Sequence, residues 1–260
     1  SLLGRFPIEA NIAPHFSVID ERTAAELMNE GCAYILGRAH DDDMTSALTL
    51  MAGLLNEEDF TRLMTDLSSR RSHLKSLFNR YGDINGVIDA SRRALGVNEG
   101  ETPESIIEQA CDDFAFEKDA LLGACEALSG GTKTDGERAD NLHQWLTSTI
   151  ASRNASFEKS YQAIFLTQDG SPRKALMTKK ITEANPTSLQ ALLDEQKRII
   201  HVSDRLRGVG VFRASEALIH LGSRLLETFE RLKEARSLLD YDDLILKVRD
   251  LLRLDGGASW

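Results

Sequence analysis

The longest helical pattern in the chain lies in residues 187–235, TSLQALLDEQKRIIHVSDRLRGVGVFRASEALIHLGSRLLETFERLKEA. Its apolar residues return at intervals of three and four, which places them on one face of an α-helix. Gly208 and Gly210 interrupt the pattern, and glycine weakens a helix interior. We therefore expect two helices or one kinked helix over this stretch. Its apolar positions are Leu189, Leu192, Leu193, Ile199, Ile200, Leu218, Leu221, Leu225, Leu226 and Phe229.

The rest of the chain also favours helices. It holds only 5 prolines, and it is rich in Leu, Ala, Glu and Arg, which keep the helical backbone intact at little entropic cost. Asp20 and Thr102 are predicted N-caps, with Pro103 at the first helical position, and Gly130 and Gly131 are predicted to end a helix. The fold class is therefore mainly α. One helix should begin after Asp20, and others should span about 43–55, 57–80, 83–95, 102–128, 135–160 and 241–252.

Residues 161–181, YQAIFLTQDGSPRKALMTKKI, are an exception to this pattern. Asp169 and Gly170 form a strong turn signal between two segments that contain aromatic or branched residues. A short β-hairpin within the otherwise helical fold is one interpretation of this stretch.

Composition limits the classes of function. With 42% hydrophobic and 28% charged residues, the chain is an ordinary globular protein, and we treat it as one domain. Lys plus Arg number 31 and Asp plus Glu 41, which gives 31 minus 41, or a net charge of -10. Such a charge opposes nonspecific attraction to polyphosphate, so any contact with DNA must be local. The sequence shows no signal peptide and no membrane-spanning apolar run, which predicts a cytoplasmic protein without membrane contact.

Glycine and aspartate motifs do not make a catalytic site. Residues 130–134, GGTKT, place a threonine where a phosphate loop needs the glycine before its lysine, so we interpret them as a helix stop. Residues 208–210, GVG, lack the third glycine of a dinucleotide fingerprint. Asp41, Asp42 and Asp43 precede a predicted helix, where capping explains them better than metal binding does.

Cysteines and histidines give no further site. Cys32, Cys111 and Cys125 lack the paired short spacing of zinc or redox sites, and we predict that they are reduced core thiols. The 6 histidines are scattered, with no metal-ligand spacing and no nucleophile signature near them. We therefore expect no catalytic residue, no metal and no cofactor in this chain.

Two windows are locally basic. Residues 171–180, SPRKALMTKK, hold Arg173, Lys174, Lys179 and Lys180 without an acidic residue. Because these cations cluster around a turn, we predict that they contact DNA phosphates, which would position a duplex without reading its sequence. Residues 68–80, SSRRSHLKSLFNR, also lack acids. For this second window we favour a solvated helical face, with Arg70 and Arg71 as secondary candidates for DNA contact.

Three segments resemble AddA-type helicases of the UvrD and RecB superfamily. SLLGRFPIEANIAPHFSVIDE, residues 1–21, resembles the segment after the motif that closes the first half of the ATPase core. LLDYDDLILKVRDLL, residues 238–252, is similar to the segment that leads back into that core. Between them, FLTQDGSPRKALMTK, residues 165–179, is similar to a family stretch in the same relative position.

The resemblance implies a helical insertion, the 1B subdomain, in the first motor domain of such a helicase. Residues 1–20 would connect from the motor core, 21–237 would form the subdomain, and 238–260 would return to the core. Segments 7–14 and 241–252 should then lie close together, because an insertion leaves and re-enters the same host domain. The ATP and Mg sites of the parent helicase lie outside these residues, so the chain is not expected to be an enzyme by itself.

The implied partners are duplex DNA, the remaining helicase subdomains and an AddB-like nuclease subunit, in the repair of double-strand breaks. A second hypothesis stays open beside DNA contact. In that alternative the chain is a structural or protein-docking module whose acidic faces bind other subdomains or the nuclease subunit.

Overall fold

The computed structural model describes residues 2–37 and 42–253, with the backbone alone described at 42, 43 and 253. The fold is mainly α, as the sequence predicts. Its helices are α1 (Leu2–Arg5), α2 (Glu21–Gly37), α3 (Asp42–Leu54), α4 (Glu57–Ser69), α5 (Arg71–Tyr81), α6 (Ile84–Ala94), α7 (Pro103–Cys111), α8 (Lys118–Ser129), α9 (Lys133–Thr147), α10 (Ile150–Ser156), a π-helix (Phe157–Tyr161), α11 (Gln162–Phe165), α12 (Lys179–Ala184), α13 (Pro186–Ala235) and α14 (Tyr241–Arg253). Two short strands, β1 (Ser17–Val18) and β2 (Leu238–Leu239), pair in parallel.

The chain forms two compact units. The first comprises the residues up to 92 together with those from 213 onward, and the second comprises residues 93–212. Helix α13 contributes its first part to the second unit and its last part to the first unit. None of the helices within residues 2–37 and 42–253 has the length and apolar character that crossing a bilayer would require.

Helices α2 to α4 and the end of α13 form the core of the first unit. Leu27 and Met28 of α2 are buried with Leu221, Leu225 and Phe229 of α13. Asp20 caps α2 as predicted, since its carboxylate accepts a hydrogen bond from the Thr23 N–H at 2.8 Å. The capping prediction for Asp41 to Asp43 lies outside what the structure describes, because Asp41 and the side chains of the other two are not included.

The early and late segments of the first unit pack against each other. β1 pairs with β2, and Leu3 and Ala10 are buried with Leu251 of α14. The Lys247 ammonium donates a hydrogen bond to the Asn11 carbonyl at 3.3 Å. The expectation that residues 7–14 lie beside the helix near 241–252 is therefore confirmed.

A buried ion cluster fixes the start of α14. The Lys233 ammonium lies 3.1 Å from Asp240 Oδ2 and 3.0 Å from Glu230 Oε2, and it also bonds Asp243 at 2.5 Å. Asp240 and Asp243 cap α14 reciprocally, since each carboxylate accepts a hydrogen bond from the other residue's N–H. Burying a charge is unfavourable unless it is paired, so this cluster holds α13 and α14 in one arrangement.

Aromatic side chains form the centre of the second unit. Tyr161 stacks on Trp145 with ring centroids 3.5 Å apart, and Phe157 and Phe165 are fully buried beside them. The Tyr161 hydroxyl donates to Glu195 Oε1 at 2.6 Å, and Arg198 donates two hydrogen bonds to the same carboxylate. Buried polar groups need such partners, so the network is fully paired at this carboxylate.

The structure corrects several predicted helix boundaries. The helix predicted at 57–80 is interrupted at Arg70, the one at 102–128 is interrupted between Cys111 and Lys118, and the one at 135–160 is interrupted after Thr147. The stretch at 187–235 is one continuous helix, so of the two expectations the pair of separate helices is wrong.

The hairpin interpretation of 161–181 also needs correction. Residues up to 165 are helical, and the hairpin is reduced to a single antiparallel bridge between Leu166 and Pro172. The turn predicted at Asp169 and Gly170 is present between these two residues. The short strand pair of the fold is instead the parallel pair of β1 and β2.

Candidate nucleic-acid interface

The turn before the basic segment is held by its own polar side chains. The Thr167 N–H donates to the Ser171 carbonyl at 2.8 Å, and the Gly170 N–H donates to the Thr167 carbonyl at 2.9 Å. Hydrogen bonds from the Thr167 hydroxyl and from Ser171 lower the pKa of Asp169, which stabilises its charged form. The turn is therefore a defined structure and not a loose loop.

The basic segment that follows, residues 173–180, is anchored through its backbone. The Arg173 N–H donates to the Phe165 carbonyl at 2.9 Å, and the Gln196 side chain donates to the Arg173 carbonyl at 3.0 Å. Leu176 and Met177 are buried, and the Thr178 N–H donates to Asp135 Oδ1 at 3.2 Å. Because the backbone is fixed, the cations between these anchors occupy defined positions.

The four predicted cations differ in exposure. Lys174 and Lys180 are exposed, and neither has an ion-pair partner among residues 2–37 and 42–253. Lys179 is 92% exposed, with Glu183 3.9 Å away. Arg173 is half-buried, and its Nε donates to the Ala163 carbonyl at 2.9 Å. Among the described residues, Lys174 and Lys180 are thus open to phosphates, Lys179 is exposed but pairs with Glu183, and Arg173 also helps to hold the turn.

Arg138 of α9 is a further cation of this surface. Its guanidinium donates a hydrogen bond to the Leu176 carbonyl. Burial lowers the pKa of Arg138, and the nearby charge of Arg173 lowers it further. The sequence pattern does not reveal Arg138, because Glu137 and Asp140 flank it in the chain and only the fold brings it beside residues 173–180.

A groove of about 630 Å³ lies beside the turn. Three cations line it, Lys159, Arg173 and Arg207, together with the carboxylates of Glu158 and Asp169. Arg207 is engaged by Asp204 at 3.0 Å and by the Gly170 carbonyl at 3.4 Å. The mixed charge makes the groove a polar surface feature and not an enclosed site for a small ligand.

The second basic window lies in the first unit and is mostly engaged in packing. The side chain of Arg71 is only 14% exposed, pairs with Glu21 at 3.6 Å and lies over the Phe229 ring at 5.8 Å. Lys75 pairs with Glu230. Arg70 is exposed at the junction of α4 and α5. The geometry favours a packing role for Arg71 and leaves Arg70 as the open candidate of this window.

The glycine motif near 130 has a structural role. Gly130 follows α8, and Thr132 opens α9 through a capping box in which its hydroxyl accepts the Asp135 N–H and Asp135 accepts the Thr132 N–H. The interpretation of GGTKT as a helix stop is confirmed. The aspartate of this box also holds Thr178, so the same cap positions the basic segment.

The cysteines are unreactive by position. Cys111 and Cys125 are buried, and burial raises the pKa of each thiol to about 11. Cys32 is half-buried, and burial raises its pKa as well. Because the thiolate is the reactive form, none of the three is primed at neutral pH. Within the described ranges, no group of three or more His, Cys, Asp or Glu residues could hold a metal ion.

The surface around residues 173–180 therefore combines exposed lysines with an ordered backbone and one additional arginine. Such an arrangement can contact successive phosphates of a nucleic-acid backbone. Comparison of the chain with known protein families, with curated proteins and with solved structures finds no match.

Proposed function

We propose that this chain is a DNA-contacting accessory module of an ATP-dependent helicase of the AddA type, which acts with a nuclease subunit in the repair of double-strand breaks. The module carries no catalytic residue of its own. The proposal rests chiefly on the cluster of Lys174, Lys179 and Lys180 beside Arg173 and Arg138 on a fixed backbone. It draws on the resemblance of three segments of the sequence to those helicases.

The packing of the early and late segments supports the insertion part of the proposal. An inserted subdomain must have its connections side by side, and β1 pairs with β2 while Leu251 is buried with Leu3. The outer face of α14 supports it too. Tyr241, Ile245 and Leu252 are 60%, 68% and 55% exposed, and such an apolar stripe is suited to packing against further protein.

That exposed stripe also favours the second candidate function, a structural or protein-docking module without DNA contact. The net charge of -10 points the same way, because it weakens attraction to a polyanion. The two functions differ in one consequence. Only the first makes the exposed lysines necessary for binding duplex.

Duplex binding at low and moderate salt tests the proposal. The variant Lys174→Ala with Lys180→Ala removes two exposed cations whose side chains make no hydrogen bond or ion pair within residues 2–37 and 42–253. The matched control, Arg22→Ala with Arg62→Ala, removes two cations that are 86% and 65% exposed and so changes the net charge equally.

We expect the lysine variant to weaken binding similarly for unrelated duplex sequences, because phosphate is present at every step. The slope of log affinity against log salt should become shallower by roughly 1 to 2, since each phosphate contact contributes about 0.9. Equal effects of the two variants would show that net charge alone governs binding. No effect of either variant would favour the docking alternative.

A further inference from the structure

The loop between α7 and α8, residues 112–117, is held by two arginines, the buried Arg153 and the half-buried Arg198. Arg153 donates to the Cys111 carbonyl at 2.9 Å and pairs with Asp113 at 2.7 Å. Arg198 donates to the Ala110 carbonyl at 3.0 Å. Both guanidinium carbons lie 5.6 Å from the centroid of the Phe116 ring, which is itself buried. These contacts anchor the loop at both of its ends.

Phe114, at the tip of this loop, is fully exposed. Its exposure is 99%, whereas the other nine of the 10 phenylalanines are buried or half-buried. The Phe114 N–H is bonded to the Asp112 carboxylate at 2.9 Å, which fixes the backbone where the ring projects. A large apolar ring that is presented rigidly to solvent resembles the anchor residues of protein interfaces, which lose little conformational entropy on binding.

The charges around Phe114 select the kind of partner. The exposed carboxylates of Asp112, Glu117 and Asp119 lie within five residues of it in the chain, and the Asp112 carboxylate accepts its N–H. The nearby cations are engaged inside the loop, since Arg153 is buried against Asp113 and Lys118 lies 3.9 Å from the same carboxylate. An acidic rim repels DNA phosphates and attracts a basic surface. The ring therefore suits a polypeptide and not a nucleic acid.

We propose that Phe114 and the carboxylates of Asp112, Glu117 and Asp119 form a protein-binding surface, the Phe114 surface. Its partner is a polypeptide segment in which an apolar residue is flanked by Lys or Arg. The ring supplies the buried contact, and the carboxylates supply the selectivity for basic flanks. This surface shares no residue with the basic segment 173–180, so the proposal does not depend on whether the chain contacts DNA.

Selection of short random peptides displayed on phage, with the whole chain immobilised, tests the proposal. The dissociation constants of the recovered peptides are then measured by fluorescence anisotropy against the wild type and three variants. Phe114→Ser removes the anchor. Glu117→Lys with Asp119→Lys reverses the rim while keeping the ring. Ile150→Ser is the matched control, because Ile150 is another exposed apolar residue of the same unit, at 46% exposure.

We expect recovered peptides to carry an apolar residue beside Lys or Arg. Phe114→Ser should weaken their binding by about tenfold or more, which corresponds to about 1.4 kcal/mol. The charge reversal should weaken binding and remove its salt dependence, and Ile150→Ser should leave it unchanged. Within the described residues, the substituted side chains of Phe114, Glu117 and Asp119 make no hydrogen bond or ion pair, so near-UV circular dichroism of all variants should match the wild type.

Three outcomes would overturn the proposal. Peptides that bind Phe114→Ser as tightly as the wild type would show that the ring is not the anchor. Recovered sequences without basic residues, or binding indifferent to the charge reversal, would show that the rim does not select the partner. A loss of duplex affinity in Phe114→Ser, absent in Ile150→Ser, would assign the ring to nucleic acid instead.

Discussion

The Arg207 guanidinium donates a hydrogen bond to the Gly170 carbonyl at 3.4 Å, and the same nitrogen would lie 2.3 Å from a Cβ at position 170. Gly170 also has a φ of 78°, in the left-handed region that disfavours residues with a Cβ. Both constraints act at the turn that precedes the basic segment. The identity of residue 170 therefore controls how the following cations are presented.

Gly170→Ala should destabilise the protein. The left-handed backbone costs an alanine about 1 to 2 kcal/mol, and Arg207 must move to admit the new methyl group. We expect the free energy of unfolding in urea to fall by that amount. Gly210→Ala is the control, because Gly210 lies within α13 with nothing near its added Cβ, and it should instead stabilise by up to about 1 kcal/mol. Equal effects at the two positions would contradict this account.

The cluster at Lys233 should make the first unit sensitive to acid. Burial alone would raise the pKa of Asp240, but the Asp243 N–H and the Lys233 ammonium outweigh it and leave that pKa below its ordinary value of 3.8. A carboxyl whose pKa is depressed by folding stabilises above its unfolded pKa, and this contribution is lost as the pH falls through the folded pKa. We therefore expect the urea concentration at the unfolding midpoint to decrease when the pH is lowered below about 4.

Lys233→Met tests the same cluster from the cationic side. Removing one partner of a buried pair leaves an uncompensated charge, which costs about 3 kcal/mol or more at pH 7. The difference from the wild type should shrink as the pH falls, because a protonated Asp240 no longer leaves an unpaired buried charge. Lys197→Met, at a 72% exposed lysine, should change little at either pH. A deficit that stays constant with pH would refute the pairing.

Lys233 determines how the ion cluster contributes to folding stability at alkaline pH. Burial would lower its pKa, but the hydrogen bond to Asp243 and the charge of Glu230 outweigh burial and raise the pKa above 10.5. A cation whose pKa is raised by folding stabilises fully below its unfolded pKa. That contribution disappears as the pH rises through the folded value, so no loss from this residue is expected between neutral pH and about pH 10.

Tyr161→Phe should separate hydrogen bonding from stacking in the second unit. The Tyr161 hydroxyl bonds the buried Glu195 carboxylate, and such charged hydrogen bonds contribute about 1.5 to 3 kcal/mol. The stack on Trp145 survives the change, so the near-UV circular dichroism should be retained while the urea midpoint falls. Tyr81→Phe, at a 40% exposed tyrosine, should be silent. An unchanged midpoint in Tyr161→Phe would show that Arg198 alone satisfies Glu195.

Local signals in the sequence account for much of the fold. Caps at Asp20 and Thr102 and the stop at Gly130 were predictable, because side-chain hydrogen bonds and glycine act within a few residues. The break between Cys111 and Lys118 was not, since it depends on Arg153 and Arg198 from distant parts of the chain. The pairing of β1 with β2 is equally long-range and leaves no local pattern.

Gly208 shows why a helix breaker can fail. Glycine costs about 1 kcal/mol in a helix interior, and a Cβ at position 208 would make only ordinary van der Waals contacts, 3.6 Å from the Leu95 carbonyl and 3.8 Å from Val97. Buried residues such as Val202 and Val209 pack on either side of Gly208, and their burial outweighs this cost and keeps α13 continuous. The four cations of residues 171–180 could be predicted from composition alone. Arg138 could not, because only the fold brings it to them.

The chain should not bind ATP, since the sequence lacks the glycine and lysine of a phosphate loop. A nucleotide that bound the folded state would raise its thermal midpoint by mass action. We expect no shift of the thermal midpoint at ATP and Mg²⁺ concentrations on the order of 1 mM, although any binding with a Kd well below that concentration would raise it. No phosphate release should appear on addition of DNA. A reproducible shift, or release that survives repurification, would contradict the prediction.

In the proposed parent helicase, the basic segment 173–180 is expected to contact the incoming duplex. Arg173→Ala with Lys174→Ala removes two cations next to the turn and, if the chain belongs to such a helicase, would leave the nucleotide site of the motor unchanged. If these cations hold the incoming duplex, unwinding should fall and become less sensitive to salt, because contacts with phosphate release counterions. ATP turnover on single-stranded DNA should be largely retained, because a strand that is already single needs no duplex contact.

The pair Lys174→Ala and Lys180→Ala separates charge from scaffolding in that experiment. Arg173 also donates to the Ala163 carbonyl, so its loss alters the turn, whereas the two lysines have no such contact in the described part of the chain. A defect shared by both double variants assigns the effect to phosphate contact. A defect confined to the Arg173 variant assigns it to the turn. If both double variants unwind DNA at an unchanged rate and with unchanged salt dependence, protein docking becomes the better account, since the exposed lysines would then make no contact with the duplex.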